Sequence, residues 1–191
     1  PIAQFVPVAP IASGPLAFVV HPGVAATTMR EFVDLARREP GKLNYGSAGP
    51  GSVNHLALEL FKNRTGTDIL HVPYKGIAPA TTDLLGGSIM TLTGTIPAVL
   101  PHLKSGKARA LAVTGDKRSL LLPDVPTMKE TGANGTEVYN YWGIVAPAGT
   151  PAAIVQRLNG EVQKFLAQKD VQERLASDGV DLTPGGPERL A

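Results

Sequence analysis

Cysteine is absent from the 191-residue chain. That excludes disulfides, thiolate nucleophiles and thiolate zinc sites, and it leaves the compartment open. Aromatic residues make up only 5%, and the net charge is +2 with Lys and Arg scattered singly or in short pairs such as Arg37-Arg38 and Lys117-Arg118. A nucleic-acid surface needs a basic stripe with aromatics among it, so nucleic acid is not an expected partner. No apolar run reaches the length of a membrane span. The first residue is Pro1, with no Met and no signal-like segment, and Glu188-Arg189-Leu190-Ala191 reads as a helix just starting. Both ends read as cut, and the chain is expected to be a fragment lacking an N-terminal part.

What is present is globular: 43% hydrophobic and 18% charged residues, enough for one or two domains with a substantial core. Leu16 to Val20 reads as a buried strand. Thr27 or Thr28 can cap the next helix, and Glu31 sits three after Thr28 as in a capping box, followed by the stripe Met29, Phe32, Val33 and Ala36. Leu43 to Ser47 is a predicted strand, and Ser52 to Arg64 a helix striped by Val53, Leu56, Ala57, Leu60 and Phe61. Further strands are predicted at 69–72, 88–93 and 108–114, with helices at 79–85 and 97–104 between them. Strand and helix thus alternate, which predicts an α/β domain with a mainly parallel sheet. After residue 121 the chain turns proline-rich, then extended over 139–146. Thr150 is the expected cap, and Pro151 the first residue, of a long helix with Ile154, Leu158, Val162 and Phe165 on its apolar face.

The run Tyr45-Gly46-Ser47-Ala48-Gly49-Pro50-Gly51-Ser52-Val53-Asn54-His55 joins a strand end to a helix start. Its glycines let the backbone turn sharply and let a ligand approach. The helix aims unpaired N–H groups into the turn, which attracts anions without a basic side chain. The run lacks the third glycine of a dinucleotide fingerprint and the Gly-Lys-Ser/Thr of a P-loop, so a small carboxylate suits it better than a pyrophosphate, and no cofactor is expected. The alternative to an anion site is a plain tight connection. The main-chain amides of Gly49, Gly51 and Ser52 are the expected donors, with side-chain bonds from Ser47 and Asn54. Tyr74 and Lys75, directly after a strand, are the expected pocket wall. Ser52 is read as a helix cap. A rival reading is a hydrolase using Ser47 or Ser52 with His55, although the Gly-x-Ser-x-Gly elbow is missing. His55 and Glu59 share a helix face, but two residues do not make a metal site.

The motifs Leu43-Asn44-Tyr45-Gly46-Ser47-Ala48-Gly49, Asn54-His55-Leu56-Ala57, His71-Val72-Pro73-Tyr74-Lys75-Gly76 and Asp83-Leu84-Leu85-Gly86-Gly87 follow one another. Arg109 to Thr114, Leu122 to Thr127, Trp142-Gly143 and Ala146 to Pro151 complete the series. In this order the chain resembles the Bug (TctC) family, extracytoplasmic solute-binding proteins of tripartite tricarboxylate transporters. The resemblance implies a type II periplasmic-binding-protein fold, with a parallel-rich α/β lobe over residues 16–118. Residues 1–15 and 119–191 would be remnants of the other lobe and the hinge. It implies a periplasmic, monomeric binder of a small carboxylate that works with membrane transporter subunits and catalyses nothing. Ser47, Ala48, Gly49, Gly51, Ser52, Asn54, His55, Tyr74 and Lys75 would be its ligand-binding residues.

Overall fold

The computed structural model describes residues 2–190. The chain divides into two compact units, one of Pro15–Tyr139 and one of Pro1–Gly14 with Asn140–Ala191. Strand β1 (Phe5–Val20) runs through both.

In the larger unit, β1 is joined by β2 (Asn44–Ser47), β3 (Leu70–Pro73), β4 (Thr91–Thr95) and β5 (Arg109–Val113) in the order β3-β2-β4-β1-β5. Strand β2 is parallel to β3 and to β4, whereas β1 is antiparallel to both β4 and β5. Four strands therefore point one way and β1 opposes them. The sheet is parallel-rich, as the alternation of strands and helices predicts.

Both faces are covered, which explains why Leu16 to Val20 is apolar without interruption. Leu16, Phe18 and Val20 face one helical layer, and Ala17 and Val19 face the other. The first layer is α1 (Met29–Arg38) and α2 (Val53–Thr65); the second is α3 (Ile77–Leu85) and α4 (Ile96–Lys104). Phe18 anchors the first layer, with ring centroids 5.2 Å from Phe32 and 5.1 Å from Phe61. Such aromatic pairs add to the area they bury.

Helix α1 begins with the expected capping box: Thr28 Oγ1 accepts from the Glu31 N–H, and the Glu31 carboxylate accepts from the Thr28 N–H. In α2 the buried residues are Asn54, Ala57, Leu58, Phe61 and Thr65, whereas Leu56 is 57% exposed. The stripe is therefore rotated from the expected one. Asn54 takes an inward position because its amide donates to the Thr93 carbonyl. Strand β4 starts three residues later than expected. Residues 88–90 are bonded instead by Asn44, whose Oδ1 accepts from Met90 N–H at 2.7 Å and whose Nδ2 donates to Ser88 O at 3.2 Å.

The smaller unit contains the first half of β1, β6 (Tyr139–Pro147, shared at its start with the larger unit), β7 (Asp181–Leu182), α5 (Ala152–Leu166) and α6 (Lys169–Ser177). Strands β6 and β7 both pair with β1. Its core is small: Val8, Ala9, Ala146 and Val155. Amides supplement it, as Asn159 donates to Val8 O at 2.8 Å and Gln163 to Gly185 O at 2.9 Å. Pro151 is the cap of α5 rather than its first residue, and Thr150 Oγ1 donates to Pro147 O instead of capping. The expected apolar face also differs, since Ile154, Leu158 and Phe165 are exposed while Val155 and Leu166 are buried.

Phe18→Ala should lower the unfolding free energy by about 3–5 kcal/mol, because the residue is fully buried. Leu56→Ala, on the exposed side of α2, should change it by less than about 0.5 kcal/mol. Urea denaturation of both variants checks this; equal losses would mean that α2 packs in the rotation expected from its stripe.

Candidate ligand-binding site at the glycine turn

Strand alternation sends Tyr45 and Ser47 toward α2 and Gly46 the other way. A Cβ on Gly46 would stand 2.4 Å from Ile89 Cδ1 and 3.1 Å from Ala80 Cβ, so glycine is what lets α3 close on the sheet. The chain then reverses through Gly49 (φ +118°) and Gly51 (φ +78°) into the Ser52 cap. Side chains with a Cβ rarely adopt such angles.

The turn spends several polar groups on itself. Gly49 N–H donates to Ser47 Oγ at 3.1 Å, Gly51 N–H to His55 Nδ1 at 3.2 Å, and Ser52 N–H to Gly49 O at 3.1 Å. Ser52 Oγ donates to the same carbonyl at 2.7 Å and accepts from His55 N–H at 3.3 Å, so Ser52 caps α2 as expected. The three amides expected to hold an anion are thus occupied by neighbouring protein atoms. The reason is local: side chains two and four residues away reach the Gly49 and Gly51 amides first, and the Gly49 carbonyl takes the Ser52 amide. Within residues 48–55, the N–H groups with no hydrogen-bond partner among the described residues are those of Ala48, which enters the turn, and of Val53 and Asn54, which open α2. These last two are the orphan donors that a helix start leaves.

A second unpaired group lies close by. Thr93 Oγ1 is buried with no hydrogen-bond partner among the described residues. Thr93 pairs with Phe18 across β4 and β1, so the two side chains share the sheet face that α2 covers. Asn54 touches it directly, through the bond from Nδ2 to the Thr93 carbonyl. Sequence inspection did not single out Thr93; the only signal was a polar residue alternating into a buried face.

Behind the turn is a column of rings. His71 stacks on Tyr45 at 4.8 Å and His55 lies over His71 at 4.3 Å. The parallel register that pairs Tyr45 with His71 creates the stack. Ser47 Oγ is 2.7 Å from His71 Nε2. Tyr45 donates to Glu59 at 2.6 Å, and Lys62 pairs with the same carboxylate at 2.7 Å. Burial and the Glu59 carboxylate raise the Tyr45 phenol well above its ordinary range. Burial opposes ionisation of Glu59, yet hydrogen bonds from Lys62 and Tyr45 hold it below the usual carboxylate value. Burial lowers His71, and the His55 ring pushes the same way against Glu59.

The structure does not form the serine–histidine pairs of the hydrolase reading. Ser47 meets His71 rather than His55, and it is fully buried. Ser52 meets only the His55 main chain. Tyr74 turns its hydroxyl to Asp83 at 2.6 Å, and burial together with that carboxylate pushes the phenol up to about 12. Tyr74 still abuts the turn, since its N–H donates to Ser47 O and its carbonyl lies 3.2 Å from where a Gly49 Cβ would be. Lys75 is exposed beside it. Glu59 is committed to Tyr45 and Lys62, and no group of three or more metal-ligating side chains occurs among the described residues.

The family profile described as "Tripartite tricarboxylate transporter family receptor" matches residues 1–188. The chain belongs to this receptor family. A curated relative, the "UPF0065 protein in tcbD-tcbE intergenic region" of Pseudomonas sp. (strain P51), is 39% identical over 189 residues, covering 98% of this chain and 56% of the relative. Among solved structures, Rpa4515 of R. palustris with adipate is similar at 37% identity and a TM-score of 0.90, covering 98% of this chain and 62% of that one. MatC from Rhodopseudomonas palustris with bound malate is similar at 32% identity and a TM-score of 0.87, covering 98% and 63%. The receptor-family chain described here therefore spans about three fifths of the length of these proteins. No helix among the described residues is long and apolar enough to cross a membrane.

The lowered His71 value has a sign that can be measured. Just below the ordinary pKa of 6.5 the unfolded chain binds more protons at this site than the folded one. Stability should therefore be full above 6.5 and decline as pH falls from there through the folded-state value. His71→Phe keeps the ring column and removes the titration. Its unfolding midpoint in urea should depend less on pH in that window than the wild-type midpoint; identical pH profiles would contradict the assignment.

Proposed function

We propose that this chain supplies one lobe of a solute receptor, and that the start of α2 holds a carboxylate of a small organic acid. The observation that carries this reading is the set of unpartnered N–H groups at Ala48, Val53 and Asn54 beside the glycine turn. Oriented amides at a helix start favour an anion, and the helix dipole adds to them. The buried Thr93 hydroxyl offers one further bond, directly or through an ordered water. Tyr74 borders the turn, and Lys75 brings a mobile positive charge. Family membership supports the rest: a ligand such as a dicarboxylate, a periplasmic setting, hand-over to membrane transporter subunits, a monomer, and no chemistry on the ligand.

Magnitudes argue for a second lobe. A hydrogen bond to a charged group nets about 1.5–3 kcal/mol, so three give about 4.5–9 kcal/mol. Micromolar affinity needs about 8 kcal/mol, and association costs at least about 4 kcal/mol before any appears. One turn alone thus binds weakly, and tight capture requires closure by another lobe, as the family fold implies for residues outside 16–118.

Val53→Pro is a direct test. Proline at the first helical position removes an N–H that has no intrahelical partner and replaces the part-buried Val53 side chain with an apolar ring, and Ser52 is already extended (φ −66°, ψ 158°) as a residue before proline must be. The variant should unfold near the wild-type midpoint while losing about tenfold in affinity for adipate and malate by calorimetry, the size of one charge-assisted bond. Unchanged affinity in a folded variant would place the carboxylate elsewhere.

A further inference from the structure

The turn beside the unpartnered amides is closed by few bonds, and one depends on protonation. Gly51 N–H can only donate, so His55 Nδ1, 3.2 Å away, must present its lone pair. His55 in this bond is a neutral imidazole with its proton on Nε2. Adding a proton at Nδ1 sets two donors against each other at that distance.

His55 sits in the first turn of α2. The His71 ring is 4.3 Å away, so a second protonation on β3 would repel the first. The other ionisable groups around the pair are Tyr45 on β2 and Glu59 and Lys62 on α2. Glu59 is the only anion among them, and it already bonds both Tyr45 and Lys62. The pair with Ser47 behaves differently: His71 Nε2 and Ser47 Oγ can reverse donor and acceptor without parting. The sensitive contact is thus His55 to Gly51.

We propose that His55 is a positioning residue: as a neutral imidazole it latches Gly51 and holds the glycine turn in the shape that presents the free amides, and in mild acid it releases the turn. The consequence for ligand affinity rests on the carboxylate-binding reading above. Its sign is informative. A histidine that touched the anion would bind it more tightly once protonated. A latch loses affinity instead, because the new proton points at the turn's backbone.

The 191-residue chain, free of ligand, can be followed by amide and imidazole NMR from about pH 8 to about pH 5.5, the span over which histidine changes charge. The Gly51 amide should titrate in step with the His55 ring, with Ala48, Gly49 and Val53 following. In His55→Asn the Oδ1 atom stands where Nδ1 stood and cannot titrate, so the Gly51 response should vanish. With adipate as probe, wild-type affinity should fall about fivefold beyond the change seen in His55→Asn, the factor expected for one neutral hydrogen bond. A Gly51 amide indifferent to His55 protonation in the wild type, or affinity that rises in acid, would overturn the latch whether or not the variant folds. A Gly51 amide that tracks His55 while adipate and malate bind nowhere would support the latch and refute the carboxylate site.

Discussion

The carbonyl of Gly49 accepts two bonds, from the main chain and the hydroxyl of Ser52, and that pair fixes how β2 hands over to α2. Everything proposed for the site depends on this corner. If the carbonyl turned away, Ser52 would lose its place as cap, and the Val53 and Asn54 amides would no longer be aimed. The corner needs positive φ at Gly49 and Gly51, and a β-carbon on Gly49 would also press on the Tyr74 carbonyl. The sheet beneath is packed on both faces. Phe18, Phe32 and Phe61 form a single aromatic knot under α1 and α2. A hydrogen-bonded turn is thus mounted on a closely packed base, which suits a site that must keep its amides oriented before a ligand arrives.

The same corner argues for binding rather than chemistry. Ser47, the serine nearest a histidine ring, is sealed from solvent and holds the Gly49 amide. A nucleophile needs an exposed oxygen and a base ordered by a third group. Here the ring of His71 is committed to a stack between Tyr45 and His55. What the turn presents to an incoming molecule is main-chain N–H, which stabilises negative charge without reacting with it.

Much of the fold was legible in the sequence because its signals are local. The Thr28–Glu31 box and the Ser52 cap act within four residues of the element they punctuate. The departures come from contacts across the fold. Asn44 bonds residues 88–90 and delays β4, and Asn54 takes an inward place on α2 by reaching Thr93. In α5 the stripe through Ile154, Leu158 and Phe165 is real as a pattern but is not the face this chain buries. For the site, the turn itself was legible and the choice of amides was not. Whether a given N–H is free depends on where the Ser47 and His55 side chains point, and spacing does not determine that. The ring column was hidden for a related reason, since it needs the register of two parallel strands.

The most direct measurement is a crystal structure of the chain grown with malate. The account predicts a carboxylate oxygen within hydrogen-bond distance of the Val53 and Asn54 nitrogens, with the turn closed by Gly51 and His55 as it is without ligand. Malate seated elsewhere, with those two amides bonded to water or to protein, would contradict it.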